Sequence, residues 1–336
     1  MLIDLHAHYI PREILREAQP NEAWRPRVSR DEKGQQWVEH KTTKTNSAPR
    51  EFVDIQRIIE EQDAAGVDVV ALSPWTPLLN YELTLDEGQR SCELQNDALA
   101  QVVQAFPNRI AGLGCVPLQD AHVAARAAAH LVRDLGLHGI EIGTNVNGAY
   151  PGDEQFLPFW QVVSELDTLV FIHPVSGIGG PLMREYEFWN LYGNPAETGL
   201  AAASLIFGGV LERFSNLKIL LAHGGGVLPY IIGRFDRGWQ MRPSARKSQI
   251  TRAPGTFLKQ FYFDTITHSA DALRYLIQVV GAEHVVIGSD YPFDMGYDKP
   301  RALVNDLGLT REQSEMIFSG TAARLLKLKQ MRAQEV

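Results

Sequence analysis

The chain has 336 residues, 45% of them apolar and 21% charged, with a formal net charge of −8 and a pI near 5.7. That length suits one α/β barrel with a large core. The acidic balance argues against nucleic acid as a partner, because phosphate binding needs basic patches. Cys92 and Cys115 are too few for a disulfide framework or a thiolate metal site, so two buried free thiols and a reducing cytoplasm are expected. The first residues lack the basic start and apolar stretch of an export signal, and no apolar run is long enough to span a bilayer.

In chain order, a strand is expected over 2–6 ("LIDLH"), ending at His6 with His8 just beyond it. Residues 10–50 are polar and carry Pro11, Pro20, Pro26 and Pro49. Their stretch "SRDEKGQQWVEHKTTKT" alternates like a small hairpin, and the segment reads as an insertion over the mouth of the fold. Helical spacing then covers 54–66, 92–106, 121–136 and 156–167. Strands are expected at 68–73, 110–116, 139–143 and 169–173. A loop rich in glycine and aromatics spans 173–198, followed by strands at 218–223, 261–265 and 285–290, and residues 324–336 close the chain as a helix and solvated tail. Most strands are near-continuous apolar runs, as in parallel sheets covered on both faces. Eight of them alternating with helices predict a (β/α)8 TIM-type barrel, one metal-dependent domain over 1–336. The competing doubly wound open sheet is disfavoured, because no GxGxxG follows the first strand.

In a barrel, all carboxyl strand ends point to one face. The first strand ends at His6 and His8, the fifth at His173, the sixth at His223 and the eighth at Asp290. Residues i and i+2 of a strand project from one side, so HxH makes a two-armed clamp. Imidazole nitrogen with carboxylate oxygen suits a divalent ion such as zinc. Singly, each residue has a plainer use: a strand-end histidine is often a hydrogen-bonded structural residue, and Asp290 fits a helix cap or turn. The joint pattern favours a metal. His40, His122, His130, His138 and His284 read as surface or structural, and His268 follows strand seven without a clear role.

At these residues the chain resembles the decarboxylase branch of the amidohydrolase superfamily. Within it, the chain is similar to the α-amino-β-carboxymuconate-ε-semialdehyde decarboxylases of tryptophan and nitrobenzoate catabolism. The similarity runs over nearly the whole chain and is dense in "IDLHAHYIP", "GLGCVPLQ", "IEIGTNVNG", "GNPAET", "FGGVLERFSNLKILLAHGGGVLPYIIGRFDRGWQMRP" and "VVIGSDYPFDMG". The resemblance implies one ion, zinc as a rule, held by His6, His8, His173 and Asp290 with a bound water. His223 would sit beside that water as acid/base. It further implies that Arg50, Arg234 and Arg242 are substrate arginines, the second of them reaching a neighbouring subunit's site, and hence a homodimer. From pocket placement alone, Arg234 fits a surface ion pair equally well, since it shares a helix with Arg237 and Asp236. Phe293 is a candidate aromatic wall for the substrate, and Trp189 fits such a wall or core packing equally well. Where the family has a tryptophan after the strand-five "HP", this chain has Val175, which leaves the substrate open.

The reaction expected is cofactor-free, non-oxidative decarboxylation of a small unsaturated or aromatic acid, with the metal's water and His223 moving protons and arginines gripping the carboxylate. There is no lysine between Lys44 and Lys218, so the carbamylated bridge of two-metal hydrolases has no candidate on strand four. A mononuclear hydrolase of amides, esters or lactones, a hydratase, and a non-catalytic metal barrel remain as alternatives. The spare base His223 speaks against the last, since a structural zinc favours a closed shell.

Overall fold

The computed structural model describes residues 1–15, 22, 24–34, 36–40, 43–45, 52–175, 178 and 181–328. Strand β1 (Ile3–Tyr9) opens the chain. It is followed by a three-stranded antiparallel sheet of β2 (Arg27–Arg30), β3 (Gln36–His40) and β4 (Thr43–Thr45). Seven further strands join β1 in an eight-stranded parallel sheet whose spatial order is the chain order. They are β5 (Val69–Pro74), β6 (Ile110–Cys115), β7 (Gly139–Gly143), β8 (Leu169–His173), β9 (Lys218–Leu221), β10 (Phe261–Asp264) and β11 (Val285–Val286). The Leu5 N–H donates to the Ile287 carbonyl (2.9 Å) and the His8 N–H to the Tyr291 carbonyl (2.8 Å), which brings the last strand back to the first. The sheet is therefore a nearly closed (β/α)8 barrel, as its pattern of strands predicts.

The surrounding helices are α1 (Ile55–Ala65), α2 (Leu85–Ala105), α3 (Ala121–Arg133), α4 (Leu157–Leu166), α5 (Asn194–Phe207), α6 (Val210–Arg213), α7 (Leu228–Met241) and α8 (Ala270–Val280). The short helices α9 (Pro300–Asn305), α10 (Arg311–Glu315) and α11 (Thr321–Leu325) complete the order. None of the described helices is long and apolar enough to cross a membrane. Side-chain caps fix several starts: Asp54 accepts from the Arg57 N–H, and Asp120 from the N–H groups of His122 and Val123. Helix α2 begins seven residues earlier than its apolar spacing suggests, because Thr84 and Glu87 form a reciprocal capping box. The expected hairpin has a third strand, β4, paired with β3 through Val38–Thr45. The last barrel strand is shorter than expected, since the chain leaves the ladder after Val286 and turns through a left-handed Asp290 (φ 59°).

Two apolar layers set the barrel. Ile3, Leu5, Val69, Ala71, Leu113, Phe171, Leu220 and Val286 fill its interior, with Leu325 and Leu326 plugging one end. Ile140, Ile142, Ile172, Ile219 and Leu221 face outward onto Trp160, Phe159 and Leu205. A third cluster, including Ile10, Ile14, Trp24, Val38, Phe52 and Trp75, ties the small sheet to the carboxyl ends of β1 and β5. Within it, Phe52 meets Phe293 (5.4 Å), and Phe293 meets the ring of His8 (5.2 Å). Cys92 and Cys115 are both buried and unbridged.

Candidate metal centre

Strand β1 carries an irregularity that builds half the site. Ile3 and Leu5 face the interior layer, and strict alternation would turn His6 outward. Between Asp4 and Ala7, however, the pairing with β5 shifts register. A bulge of this kind lets neighbours share a face. The His6 ring then packs edge-on against Phe171 (4.7 Å), and His8 follows it inward. His173 comes from the end of β8, and Asp290 from the left-handed turn beyond β11.

The ligand-capable atoms of His6, His8, His173 and Asp290 all lie within 4.8 Å of one another, and all four residues are buried. The His6 and His8 Nε2 atoms are 3.2 Å apart, and each is 3.2 Å from Asp290 Oδ1. Their other ring nitrogens are occupied. His6 Nδ1 donates to Asp264 Oδ2 (2.7 Å), His8 Nδ1 to the Pro74 carbonyl (3.0 Å), and His173 Nδ1 to the Pro174 carbonyl (2.9 Å). Such bonds fix each tautomer and aim Nε2 at the centre. His173 Nε2 is buried with no hydrogen-bond partner among the described residues, an expensive arrangement unless a ligand meets it. Three imidazoles and one carboxylate fit a divalent transition ion in both geometry and donor type.

The electrostatics agree. Burial opposes ionisation of Asp290, but His6, His223 and His8 outweigh it and hold the carboxyl well below its ordinary range. Burial pulls the His6 ring down, yet Asp290 and Asp264 more than offset this and raise it to about 10. Burial lowers His8, and burial with the surrounding imidazoles lowers His173 further, so both present neutral lone pairs. The centre is built to favour positive charge.

His223 stands beside this cluster. Its Nε2 is 3.6 Å from Asp290 Oδ2, and its ring centroid is 5.1 Å from that of His173. It sits in the left-handed region (φ 56°), a conformation costly for a residue with a Cβ. Asp264 stabilises that turn by accepting from the N–H groups of His223 and Gly224 (2.8 Å each). Gly288 lets these parts converge, since a Cβ there would lie 2.9 Å from Asp264 Cβ and 3.0 Å from His6 Cβ.

Two residues of the site escape the sequence reading. Asp264 ends β10 inside "FYFDT", so the strand-end rule that selects Asp290 would also select it. Replacing it with asparagine is expected to weaken metal binding by about 10–100-fold, read by competition with a chromogenic chelator. Glu141 is the second. It is fully buried on β7 and faces inward between Ile140 and Ile142, and neither oxygen has a hydrogen-bond partner among the described residues. Burial pushes its carboxyl up to about 8 from 4.5, against the opposing pull of His6. The folded state thus holds this proton more tightly than the unfolded chain, and stability falls as pH rises from about 4.5 through about 8. In metal-stripped protein, the stability advantage of Glu141→Gln over the parent is expected to grow across that window, by at most about 5 kcal/mol, in denaturant melts at pH 5 and pH 9.

The remaining candidates are dispersed. Phe293 touches His8, as described above. Trp189 is half-exposed in the turn Trp189–Gly193, and its indole N–H donates to Glu187. Arg234 on α7 and Arg242 just after it are exposed, and no hydrogen bond, ion pair or ring contact among the described residues joins them to the cluster. Arg50 lies outside the described residues. His40 is buried and bonded to Asn80 (2.8 Å), and His268 stacks on Tyr297.

The family model described as amidohydrolase matches residues 3–328. The chain belongs to the amidohydrolase family. This member is 33% identical over 333 residues to a 2-amino-3-carboxymuconate-6-semialdehyde decarboxylase of Dictyostelium discoideum, covering 97% of this chain and 91% of that one. In structure, the amidohydrolase chain is similar to a 5-carboxyvanillate decarboxylase of Sphingomonas paucimobilis, with a TM-score of 0.83, 24% identity, and 98% and 99% of the two chains covered. It is also similar to a dihydroxybenzoic acid decarboxylase of Polaromonas sp. JS666, solved with manganese and 2-nitroresorcinol. That match has a TM-score of 0.80, 23% identity and 97% of each chain covered.

Proposed function

We propose that this amidohydrolase is a zinc-dependent carboxy-lyase that removes CO2 from a small unsaturated or aromatic carboxylic acid. The observation that carries the reading is four buried ligand groups converging on one point, with a fifth imidazole, His223, beside them. The relative from Dictyostelium, matched over nearly the whole chain, is named as a decarboxylase and supports the same chemistry. A structural site would have no use for His223, and no lysine lies between Lys44 and Lys218 to supply the carbamylated bridge of a two-metal hydrolase.

His6, His8, His173 and Asp290 would hold the ion, which when bound supplies a Lewis acid that anchors and polarises the substrate. Asp264 and the carbonyls of Pro74 and Pro174 keep those rings aimed. The reaction exchanges a carboxylate for a proton: the C–C bond breaks, CO2 leaves, and the electron pair left on carbon takes the proton. His223 Nε2, at the edge of the cluster 3.6 Å from Asp290, would give that proton to carbon and be reprotonated from solvent. Asp290 shares the task by holding the charge of the His223 ring as it changes.

A carboxylate substrate needs a cation, and the described site of one chain contains no arginine. Arg234 and Arg242 belong to an exposed stretch that also presents Tyr230 (83% exposed) and Met241 (58%), with Tyr275 beside Tyr230. Exposed apolar side chains beside these arginines support a contact surface there. In this reading a homodimer forms there, and Arg234 grips the substrate of the partner subunit bidentately. Arg234→Ala is expected to raise KM about tenfold or more without loss of metal. Mixing it with His223→Ala subunits should restore part of the activity, because each hybrid dimer keeps one intact site.

The test is a screen of metal-replete protein against carboxymuconate semialdehydes, hydroxybenzoates and related acids, followed by CO2 release and ultraviolet absorbance. Release of CO2 from one class is expected. Cleavage of esters, lactones or amides with no CO2 from any acid would replace the lyase by a hydrolase.

A further inference from the structure

A cavity of about 600 Å³ opens at the same end of the barrel as the ligand cluster. It is walled by the loop after β5, the loop after β7, Val175 just past β8, and Glu197 on α5. Val175 lies two residues beyond His173, and the Tyr81 hydroxyl accepts from the Gly143 N–H (3.1 Å), where Gly143 pairs with His173. Val175 packs so closely on Gly143 that a Cβ there would lie 2.7 Å from its methyl carbon. Val175 is thus the wall residue that lies next to the cluster in the chain, two residues from the ligand group His173.

The polar lining has a definite sign. Glu197 is 4% exposed, and it is held by neutral donors: Asn145 Nδ2 to Oε2 and the Tyr150 hydroxyl to Oε1, both 3.1 Å. Glu82 and His40 also line the cavity, and the described lining contains no lysine or arginine. A carboxylate has about four acceptor positions, and these two bonds use half of them. What Glu197 still offers is acceptor capacity at the wall of a half-open cavity. It favours a hydroxyl or an ammonium and disfavours a second carboxylate.

We propose that this cavity is the substituent pocket of the substrate site. It takes a hydroxyl- or amino-bearing arm of the acid whose carboxylate is handled at the ligand cluster, with Glu197 as the acceptor and Val175 setting the width of the passage. The assignment rests on the decarboxylase reading for the placement of the carboxylate, but its recognition chemistry is tested without turnover.

The experiment measures equilibrium binding of benzoate, 3- and 4-hydroxybenzoate, 3- and 4-aminobenzoate, and isophthalate to the metal-replete protein by calorimetry. At least one hydroxyl- or amino-bearing acid is expected to bind about tenfold tighter than benzoate, and isophthalate no tighter than benzoate. Glu197→Gln should erase the preference while leaving benzoate affinity and metal content unchanged. Val175→Phe, a change at the partly exposed wall, should weaken the preferred acid more than benzoate and serves where Glu197→Gln fails to fold. Equal affinities across the series, failure of the substituted acids to bind, or a preference that survives both substitutions overturns the assignment. If the preference depends on Glu197 but no acid releases CO2, the pocket stands and the decarboxylase reading falls. CO2 release with no such preference has the opposite meaning.

Discussion

Replacing His223 with alanine is expected to lower kcat by about 10²–10⁴-fold while the protein keeps its metal and its melting temperature. The expectation follows from position. Its Nε2 is 3.6 Å from Asp290, and the ring is 17% exposed where the His6 and His8 rings are fully buried, so it meets both the cluster and solvent. A ligand would have to converge with the other three rings, and His223 is not among the mutually close group. Its loss therefore removes a proton carrier and leaves the cation site intact. Single-turnover kinetics separate this from a binding defect, because the rate of the chemical step falls while substrate affinity holds. Equal loss of metal and activity would instead make His223 a ligand.

Replacing His173 with alanine is expected to have the larger consequence. Its Nε2 is buried without a hydrogen-bond partner among the described residues while its Nδ1 is committed to the Pro174 carbonyl, so Nε2 is the atom left to meet an ion. Substitutions one shell out cost about 10–100-fold in metal affinity, and removal of a direct ligand should exceed that. Metal content after dialysis should fall well below that of the parent, and CO2 release should fall with it. The barrel should persist, because the apolar layers beneath β8, Phe171 and Ile172 among them, are untouched. Circular dichroism with elemental analysis reads both halves of the expectation.

The strands were legible because parallel strands covered on both faces are written as short apolar runs, and their carboxyl ends placed His6, His8, His173, His223 and Asp290 on one rim. Other features depend on pairing and are not local. The register shift in β1 arises from its alignment with β5, and without it His6 would face away from the interior that Leu5 occupies. The early start of α2 lay in plain view in "TLDE", since Thr84 and Glu87 have capping-box spacing, but the apolar periodicity that sets helix length is silent about caps. Asp264 was equally visible at a strand end and is understood only once His6 Nδ1 is seen to donate to it. Glu141 interrupts an apolar strand, and only the closed barrel reveals that its carboxyl has no hydrogen-bond partner among the described residues. The cavity beside Val175 is made by loops from different strands, whose meeting no stretch of sequence encodes.

The most direct measurement is metal removal and return. Protein stripped with a chelator should release no CO2 from any acid that the untreated protein decarboxylates. Zinc, or manganese as in the Polaromonas relative, should restore release in proportion to bound ion and saturate at one ion per chain. Full CO2 release from protein shown by elemental analysis to carry no transition metal would contradict the account at its centre.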